Sequence, residues 1–241
     1  MILTGNAIRQ YIQAGIITID PSENLHFNPA SVDLTLGTEV AVYSDFTFTD
    51  VADEWYRLER SAIHQDHVEA GLGGLKTGHP GFGVGPYDGR GLSPNGVAAS
   101  GSTGSALDVK QPPRLRKWQM DPEVGWIIQP GVGYLMHTAE RVHTEEFVPV
   151  LDGKSSIGRL FIKVHETAGF GDPGFNGQYT LEVTSLFPVR VYPGMRFCQM
   201  RFHKFEGRIT SYQELGRYRG EEAQGAVGSR ISETFGRSVD E

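Results

Sequence analysis

The stretch VHETAGFGDPGFNGQYTLEVTS, residues 164–185, places a tight turn between two strand-like runs and carries the carboxylates Glu166, Asp172 and Glu182. In its second half, QYTLEVTS, apolar residues alternate with polar ones. A period of two predicts a β-strand with one buried face. The turn DPGFNG starts with Asp, followed by Pro and Gly, which is typical of a β-turn. The stretch therefore predicts a β-hairpin, and the polar face of its second strand carries Glu182.

Similar strand patterns occur along most of the chain. They are SVDLTLG (31–37), WIIQPGVGYLMHT (126–138), RLFIKVH (159–165) and VRVYPGMRFCQMRFHKF (189–205), and two of them contain a Pro-Gly turn. Residues 4–15 predict a short helix that Thr4 caps and Gly15 ends. Many short strands divided by turns favour an all-β (mainly β) sandwich, jelly roll or barrel with a short N-terminal helix.

Length and glycine content predict how the chain is organised. A chain of 241 residues is within the range of one all-β domain. Between residues 71 and 105 lie 12 of its 31 glycines, which predicts a long insertion loop at about 60–115. The GFGVGP within it has no strand before it and no helix after it, so it does not predict a phosphate loop. The polar tail at about 207–241 is expected to be flexible unless it orders against a partner subunit.

Composition excludes several classes of function. A formal net charge of −7 argues against broad nucleic-acid binding. No run approaches the roughly 20 apolar residues of a membrane span, and the N-terminus does not resemble a signal peptide. The single cysteine, Cys198, excludes an internal disulfide. We therefore expect a cytoplasmic protein that binds neither membrane nor nucleic acid.

A zinc enzyme is not predicted either. His143-Thr144-Glu145 matches the H-x-E half of the zinc deaminase signature, but its P-C-x-x-C half needs two cysteines. His64, His67 and His79 border the glycine-rich insertion and have no fixed third ligand. We expect no zinc and no metal ligands from the protein.

The segment DGKSSIGR (152–159) combines hydroxyls, cations and glycines. No G-x-S-x-G elbow surrounds its serines, which argues against a serine nucleophile. Hydroxyls and cations this close together suit a phosphate chain or a bound water, whereas a polar surface turn explains the same composition. Spacing alone leaves both interpretations open, as it does for Glu182 and Asp172.

The motifs together resemble a known family. GKSSIGRL, VHETAGFGDPGFNGQYTLEV and YPGMRFCQM, with NPASVDLTLG, PGVGYLMHTAERV and YRGEEAQGAVGSR around them, are similar to the dCTP deaminase branch of the trimeric dUTPase superfamily. The similarity covers nearly everything except the insertion. It implies a single dUTPase-like domain, a distorted jelly roll or β-clip barrel. It also implies a homotrimer with active sites at the subunit interfaces.

The resemblance implies catalytic roles for four residues. Glu182 would act as general acid and base for a water that attacks C4 of cytosine. Ser155 would hold this water, Arg159 would support the developing charge, and the backbone of Ala168 would complete the water site.

The resemblance also implies a set of substrate-binding residues. Asp172 would contact the deoxyribose 3′-hydroxyl, and Phe175 would stack on the sugar. Lys154 stands where the family usually has Arg, which weakens a two-pronged grip on phosphate. The substrate-binding set is Lys154, Ser156, Asp172, Phe175, Gln199, Tyr212, Arg217 and Gln224. Mg²⁺ would bind through the substrate triphosphate.

The principal prediction is hydrolytic deamination of dCTP to dUTP and ammonia. One alternative is dUTP diphosphatase activity, alone or combined with deamination to give dUMP and pyrophosphate. Gly169 and the Asp172 turn are expected to leave room for the second water that this step needs. The motifs also fit a catalytically silent nucleotide-binding regulatory protein, or a deaminase of a modified dCTP. A modified base is suggested by Glu166, which adds a negative charge where the family has an apolar residue.

Overall fold

The computed structural model describes residues 1–43, 107, 109–110, 114–219 and 223–235. The chain divides into two compact units, Met1–Val42 with Leu115–Arg230, and Tyr43–Arg114 with Ile231–Glu241. The insertion predicted at about 60–115 lies almost wholly outside the described residues and stays a prediction, as does the number of domains. All twelve predicted site residues belong to the first unit.

Strands dominate the described part of the chain. In chain order the elements are α1 Gly5–Gln13, β1 Thr18–Asp20, β2 Val32–Thr35, β3 Glu39–Tyr43, β4 Leu115–Gln119, β5 Trp126–Ile128, β6 Tyr134–His143, β7 Val148–Gly153, α2 Ser155–Gly158, β8 Ile162–Lys163, β9 Asn176–Ser185, β10 Val189–Val191, β11 Arg196–His203 and α3 Tyr212–Leu215. A 3-10 turn, Ile231–Thr234, follows in the second unit.

The strands form antiparallel sheets. One has the order β4-β3-β6-β9-β8, with β1 also paired to β6, a second has the order β2-β11-β7, and β10 pairs with β5. The apolar faces of the strands supply the core, whose largest fully buried side chains include Tyr134, Phe197, Phe202, Leu34, Met136 and Leu181. The prediction of a mainly-β, distorted jelly-roll fold is confirmed.

The N-terminal helix forms where the sequence predicted it. The Thr4 hydroxyl accepts a hydrogen bond from the Ala7 amide at the first turn. Ile8 is fully buried on the apolar face. Gly15 follows the helix with a φ of 72°, a conformation that glycine adopts without a steric penalty. The described residues include no helix that is long and apolar enough to span a membrane.

Strands lie on both sides of each Pro-Gly turn, as predicted, but they pair with other strands, β5 with β10 and β6 with β9. One detail of the strand prediction is wrong. The predicted strand at 159–165 is reduced to Ile162–Lys163, because α2 occupies the residues before it. The chain leaves α2 through Phe161, whose φ of 58° is incompatible with a strand.

Candidate active site

Glu182 lies on β9, on the face opposite the core. Leu181 and Val183 on either side of it are fully buried, as strand alternation predicts. The Glu182 carboxylate accepts a hydrogen bond from the Glu166 amide, with 3.0 Å between Oε2 and N. Across the sheet Glu182 is paired with Leu135 of β6. The half-buried carboxylate of Glu182 is thus held in one orientation, next to the apolar side chain of Leu135.

Glu166 fixes Glu182 through its backbone, while its own carboxylate is engaged elsewhere. Its Oε1 accepts a hydrogen bond from the Thr184 hydroxyl at 2.7 Å, and its Oε2 lies 3.1 Å from the Lys163 amine. Thr184 and then Lys163 hold the pKa of the Glu166 carboxyl below its ordinary value. Because Lys163 pairs with this exposed charge, Glu166 adds little net negative charge beside the strand.

The turn after Glu166 brings three predicted substrate contacts together. Asp172 is exposed, and its carbonyl accepts a hydrogen bond from the Phe175 amide at 3.2 Å. The Phe175 ring packs edge-on against Tyr179, with 4.8 Å between the ring centroids, and against Tyr212, with 5.6 Å. Asp172, Phe175 and Tyr212 therefore form one cluster at the turn that precedes β9. The predicted hairpin is open here, because β8 pairs only with the far end of β9, at Thr184 and Ser185.

The hairpin and the start of the tail share one supporting segment. The Tyr212 amide donates to the Pro173 carbonyl at 2.9 Å, which joins α3 to the turn. Glu145 accepts a hydrogen bond at 3.2 Å from Ser211, the N-cap of α3, and His143 Nδ1 lies 3.2 Å from the Phe175 carbonyl oxygen. The His-Thr-Glu motif thus supports the hairpin and the tail. Among the described residues no group of His, Cys, Asp and Glu is arranged to hold a metal.

The tail continues along the polar face of β9. The backbone amide of Gln178 donates to the Ala223 carbonyl at 2.9 Å, and the backbone amide of Val227 donates to the Thr180 hydroxyl oxygen at 3.2 Å. Gln178, Thr180 and Glu182 share this face, so the tail contact at Thr180 lies about 7 Å along the strand from Glu182. Side chains of its own chain therefore bind the described part of the tail, and its ordering against a partner subunit stays a prediction.

Two tail residues predicted to contact substrate are exposed. Gln224 lies between the docked Ala223 and Gly225. The Arg217 carbonyl accepts a hydrogen bond from Arg230 at 2.7 Å, while the Arg217 side chain is exposed to solvent. Hydrogen bonds hold the tail backbone in place, whereas the side chains of Gln224 and Arg217 are exposed to solvent, where a substrate can reach them.

A second group of predicted residues lies on α2 and at the residue that follows it, after the end of β7. Ser155, Ser156 and Arg159 are exposed there. Within the described ranges, no hydrogen bond or ion pair engages the side chains of these three residues. The predicted polar turn is a single helical turn that presents two hydroxyls and a guanidinium to solvent.

Lys154, just before α2, is paired with a buried carboxylate. Its amine lies 2.5 Å from Asp33 Oδ1, and the Asp33 side chain is only 1% exposed. Asn28 donates to the same oxygen at 2.7 Å, while the Arg196 guanidinium lies 3.8 Å from Oδ2. Lys154 therefore neutralises Asp33, in addition to any contact it makes with phosphate.

Gln199 links two segments of the chain next to the Lys154–Asp33 ion pair. Its Oε1 accepts a hydrogen bond from the Ser31 hydroxyl at 2.7 Å, and its Nε2 donates to the Gly153 carbonyl at 2.9 Å. Gln199 is opposite Asp33 in the register of β11 and β2. Gln199, which was predicted to contact phosphate, thus fixes the end of β7, just before α2.

The segment that contains Ala168 runs beside β7. Gly169 accepts a hydrogen bond from the Leu151 amide at 2.7 Å, and Phe170 forms a bridge with Val150. This places the exposed Ala168 near the chain that leads into α2. Within the part of the chain that the structure describes, no hydrogen bond or ion pair joins Glu182 to the α2 residues.

The expected space for a second water at Gly169 is occupied. A Cβ at this position would lie 2.6 Å from the Leu151 carbonyl oxygen and 2.8 Å from His165 Nε2. Protein atoms therefore fill the direction in which a side chain would point. Glycine is required here because two backbone segments approach closely.

Sequence reasoning missed two residues under the tail. His137 is buried, with Nδ1 2.8 Å from the Thr138 carbonyl oxygen and Nε2 3.1 Å from the Glu39 amide. Burial lowers the pKa of His137. The Glu39 carboxylate accepts a hydrogen bond from the Ala226 amide at 2.8 Å. Glu39 lies in none of the quoted motifs, and His137 lies in PGVGYLMHTAERV (130–142) without a role that the sequence alone suggests, because its contact with Glu39 joins segments far apart in the chain.

Comparison with known proteins identifies the family to which this arrangement belongs. The family model for dCTP deaminase-like proteins matches residues 2–72 and 95–205. The chain belongs to the dCTP deaminase-like family. A relative from Clostridium botulinum (strain Alaska E43 / Type E3), named "dCTP deaminase, dUMP-forming", is 31% identical over 218 residues, which cover 90% of each chain.

Other family members match over shorter regions. A "dCTP deaminase, dUMP-forming" from Hathewaya histolytica is 43% identical over 114 residues, 47% of this chain and 65% of the relative, so this chain spans just under two thirds of that relative's length. The crystal structure of 2′-deoxycytidine 5′-triphosphate deaminase from Agrobacterium tumefaciens aligns with a TM-score of 0.49 at 16% identity, over 90% of this chain and 50% of that chain.

Proposed function

We propose that this protein is a dCTP deaminase that forms dUMP. It would deaminate dCTP with one water and release pyrophosphate with a second. The observation that carries the proposal is the Glu182 carboxylate on β9, which the backbone amide of Glu166 orients and beside which the tail is docked. The names of the relatives support the dUMP-forming alternative better than the principal prediction, in which dUTP is the product.

Glu182 carries the deamination chemistry in this proposal. It takes a proton from the water that attacks C4, and it delivers protons to the amino group that leaves as ammonia. Closure by the tail excludes other water, and removal of water strengthens the action of a carboxylate on a developing charge. Ser155 and Ala168 would position the attacking water and Arg159 would stabilise charge on the ring, as the family resemblance implies.

The triphosphate is assigned to the exposed donors. Ser156 on α2 offers a hydroxyl and Arg217 on the tail offers a guanidinium group, and both suit phosphate oxygens. The substrate would be the magnesium complex of dCTP, in which phosphate oxygens hold the cation.

Pyrophosphate release would depend on the hairpin. Asp172 is exposed near Phe175, which is assigned to the deoxyribose and packs against Tyr212 of the tail. A carboxylate at the sugar edge would orient a water for attack on the α-phosphorus, with pyrophosphate as the leaving group. Because protein atoms fill the space at Gly169, this water is assigned to the open side of the Asp172 turn.

We also propose that the active sites form between copies in a homotrimer. Leu160, Phe161, Leu186 and Phe187 form an exposed apolar patch beside α2, and the rings of Phe161 and Phe187 lie 5.5 Å apart. Association would cover this patch and complete a site whose two residue groups are not joined within one chain. Light scattering should give the mass of a trimer, and Phe187→Asp should lower both the mass and the turnover. A wild-type monomer with full activity would refute this assembly.

The test of activity is a product analysis. The protein is incubated with dCTP and Mg²⁺, and nucleotides, ammonia and pyrophosphate are quantified over time. Equal amounts of dUMP, ammonia and pyrophosphate are expected, with Glu182→Gln as the inactive control. Accumulation of dUTP that the protein never cleaves would limit it to deamination. Unchanged dCTP would refute the proposed activity.

A further inference from the structure

Glu39, the first residue of β3, connects the central sheet to the tail. Its Oε1 accepts a hydrogen bond from the Ala226 amide at 2.8 Å and lies 2.9 Å from the Lys117 amine. The Glu39 side chain is only 18% exposed, and Ala226 is fully buried. A buried amide that loses its acceptor is costly, so this contact contributes to holding the tail on the sheet.

The tail backbone is shaped to fit this carboxylate. Gly225, just before Ala226, has a φ of 70°, which favours glycine. A Cβ at Gly225 would lie 2.6 Å from Glu39 Oε1. The Gly225 amide donates to the Gln178 side chain at 2.8 Å, so the same turn is bound from β9 as well.

The anchored turn lies next to Glu182. The Glu39 amide donates to His137 on β6, and Thr180 on β9 is opposite His137 in the register. Two residues further along the same strands, Ala41 pairs with Leu135 and Leu135 with Glu182. The tail therefore crosses the sheet at the row formed by Glu39, His137 and Thr180. The next row on the same face carries Glu182.

We propose that Glu39 is a positioning residue, which holds the tail in the closed position beside Glu182 through the Ala226 amide. Its effect on turnover rests on the proposed deaminase function, whereas its effect on tail order does not. Loss of the anchor would reduce the population of the closed tail. A smaller binding-competent population raises the apparent dissociation constant of the substrate in proportion.

The test combines hydrogen exchange with kinetics on the full-length protein. In Glu39→Ala, exchange in peptides that cover 223–227 should accelerate on the order of 10- to 100-fold, as expected when a buried amide loses a charge-assisted acceptor. KM for dCTP should rise on the order of tenfold, with kcat within about threefold, because saturating substrate closes the tail again. Glu39→Gln keeps an acceptor and should return both values to within about threefold of wild type.

Two further variants make the result decisive. Glu23→Gln removes the same charge from an exposed position and should match wild type. Gly225→Ala leaves Glu39 intact but forces the turn away from it, so it should reproduce the effects of Glu39→Ala even if that variant is poorly folded. Wild-type exchange and KM in Gly225→Ala and Glu39→Ala would overturn the proposal, and so would a collapse of kcat with unchanged exchange. If the wild type does not convert dCTP, the proposed function fails, and the exchange rates alone decide whether Glu39 anchors the tail.

Discussion

Replacing Lys154 with methionine should destabilise the fold strongly, whatever it does to substrate binding. The Asp33 side chain is 1% exposed, and the Lys154 amine lies 2.5 Å from it. Methionine keeps much of the side-chain length and removes the charge. The Asp33 carboxylate then retains Asn28 at 2.7 Å and the Arg196 guanidinium at 3.8 Å.

The size of the effect follows from the burial of Asp33. Removing one partner of a buried ion pair typically costs about 3–5 kcal/mol, because the other charge is left uncompensated. Arg196 is too far away for a hydrogen bond, and its side chain is 55% exposed, so we expect it to recover only a small part of this energy. For a chain of this size, about 3–5 kcal/mol corresponds to a fall in Tm of about 6–20 °C.

A double-mutant cycle with Asp33→Asn separates the ion pair from other effects. Asparagine removes the buried charge, so the double variant should be more stable than Lys154→Met alone, and Lys154→Arg should stay close to wild type. Urea unfolding followed by circular dichroism, at one fixed protein concentration, measures all four proteins of the cycle and Lys154→Arg. If the free energy of unfolding of Lys154→Met is within about 0.5 kcal/mol of wild type, or if Asp33→Asn does not rescue it, the pair does not neutralise a buried charge.

Three further predictions address the site. Glu182→Gln should lower kcat on the order of 10²–10⁴-fold while dCTP binding, measured by calorimetry, persists; near-normal turnover would make Glu182 a simple surface residue. Gly169→Ala should lower deamination, pyrophosphate release and Tm together, because its Cβ would lie 2.6 Å from the Leu151 carbonyl oxygen; dUTP accumulation at wild-type stability would contradict this. Burial lowers the pKa of His137 below the ordinary 6.5, so its contribution to stability is present above pH 6.5 and is lost as the pH falls below it. The free energy of unfolding should fall by up to about 1.4 kcal/mol per pH unit there, and His137→Asn should flatten the slope; the same slope in that variant would exclude His137 as the cause.

Local patterns predicted the elements well. Alternation in QYTLEVTS placed Leu181 and Val183 in the core and Glu182 on the opposite face, as observed. Thr4 and Gly15 marked the ends of α1. These predictions succeeded because each depends on neighbouring residues alone.

Strand pairing could not be predicted in the same way. A Pro-Gly turn favours a hairpin locally, yet Trp126 pairs with Val191 and Tyr134 pairs with Val183. Burial of apolar faces between sheets outweighs the preference of a short turn. DGKSSIGR also gave no helical pattern, because α2 has only four residues and one buried side chain, Ile157.

The same distinction explains which parts of the site were predicted. Glu182, Phe175 and Ser155 lie in contiguous motifs whose resemblance to a family is visible in the sequence. The tail looked flexible because its composition is polar and its bonds are formed with distant residues: Ala226 with Glu39, 187 positions away, and Ser211 with Glu145, 66 positions away. A polar segment can be ordered without a core of its own when carboxylates elsewhere in the chain accept hydrogen bonds from its backbone amides and hydroxyls. The carboxylates Glu39 and Glu145 hold the tail, and Glu182 lies on β9 just beyond the Glu39 contact, two residues after Thr180. We expect an ordered tail to exclude water from this end of the strand and a detached tail to admit it.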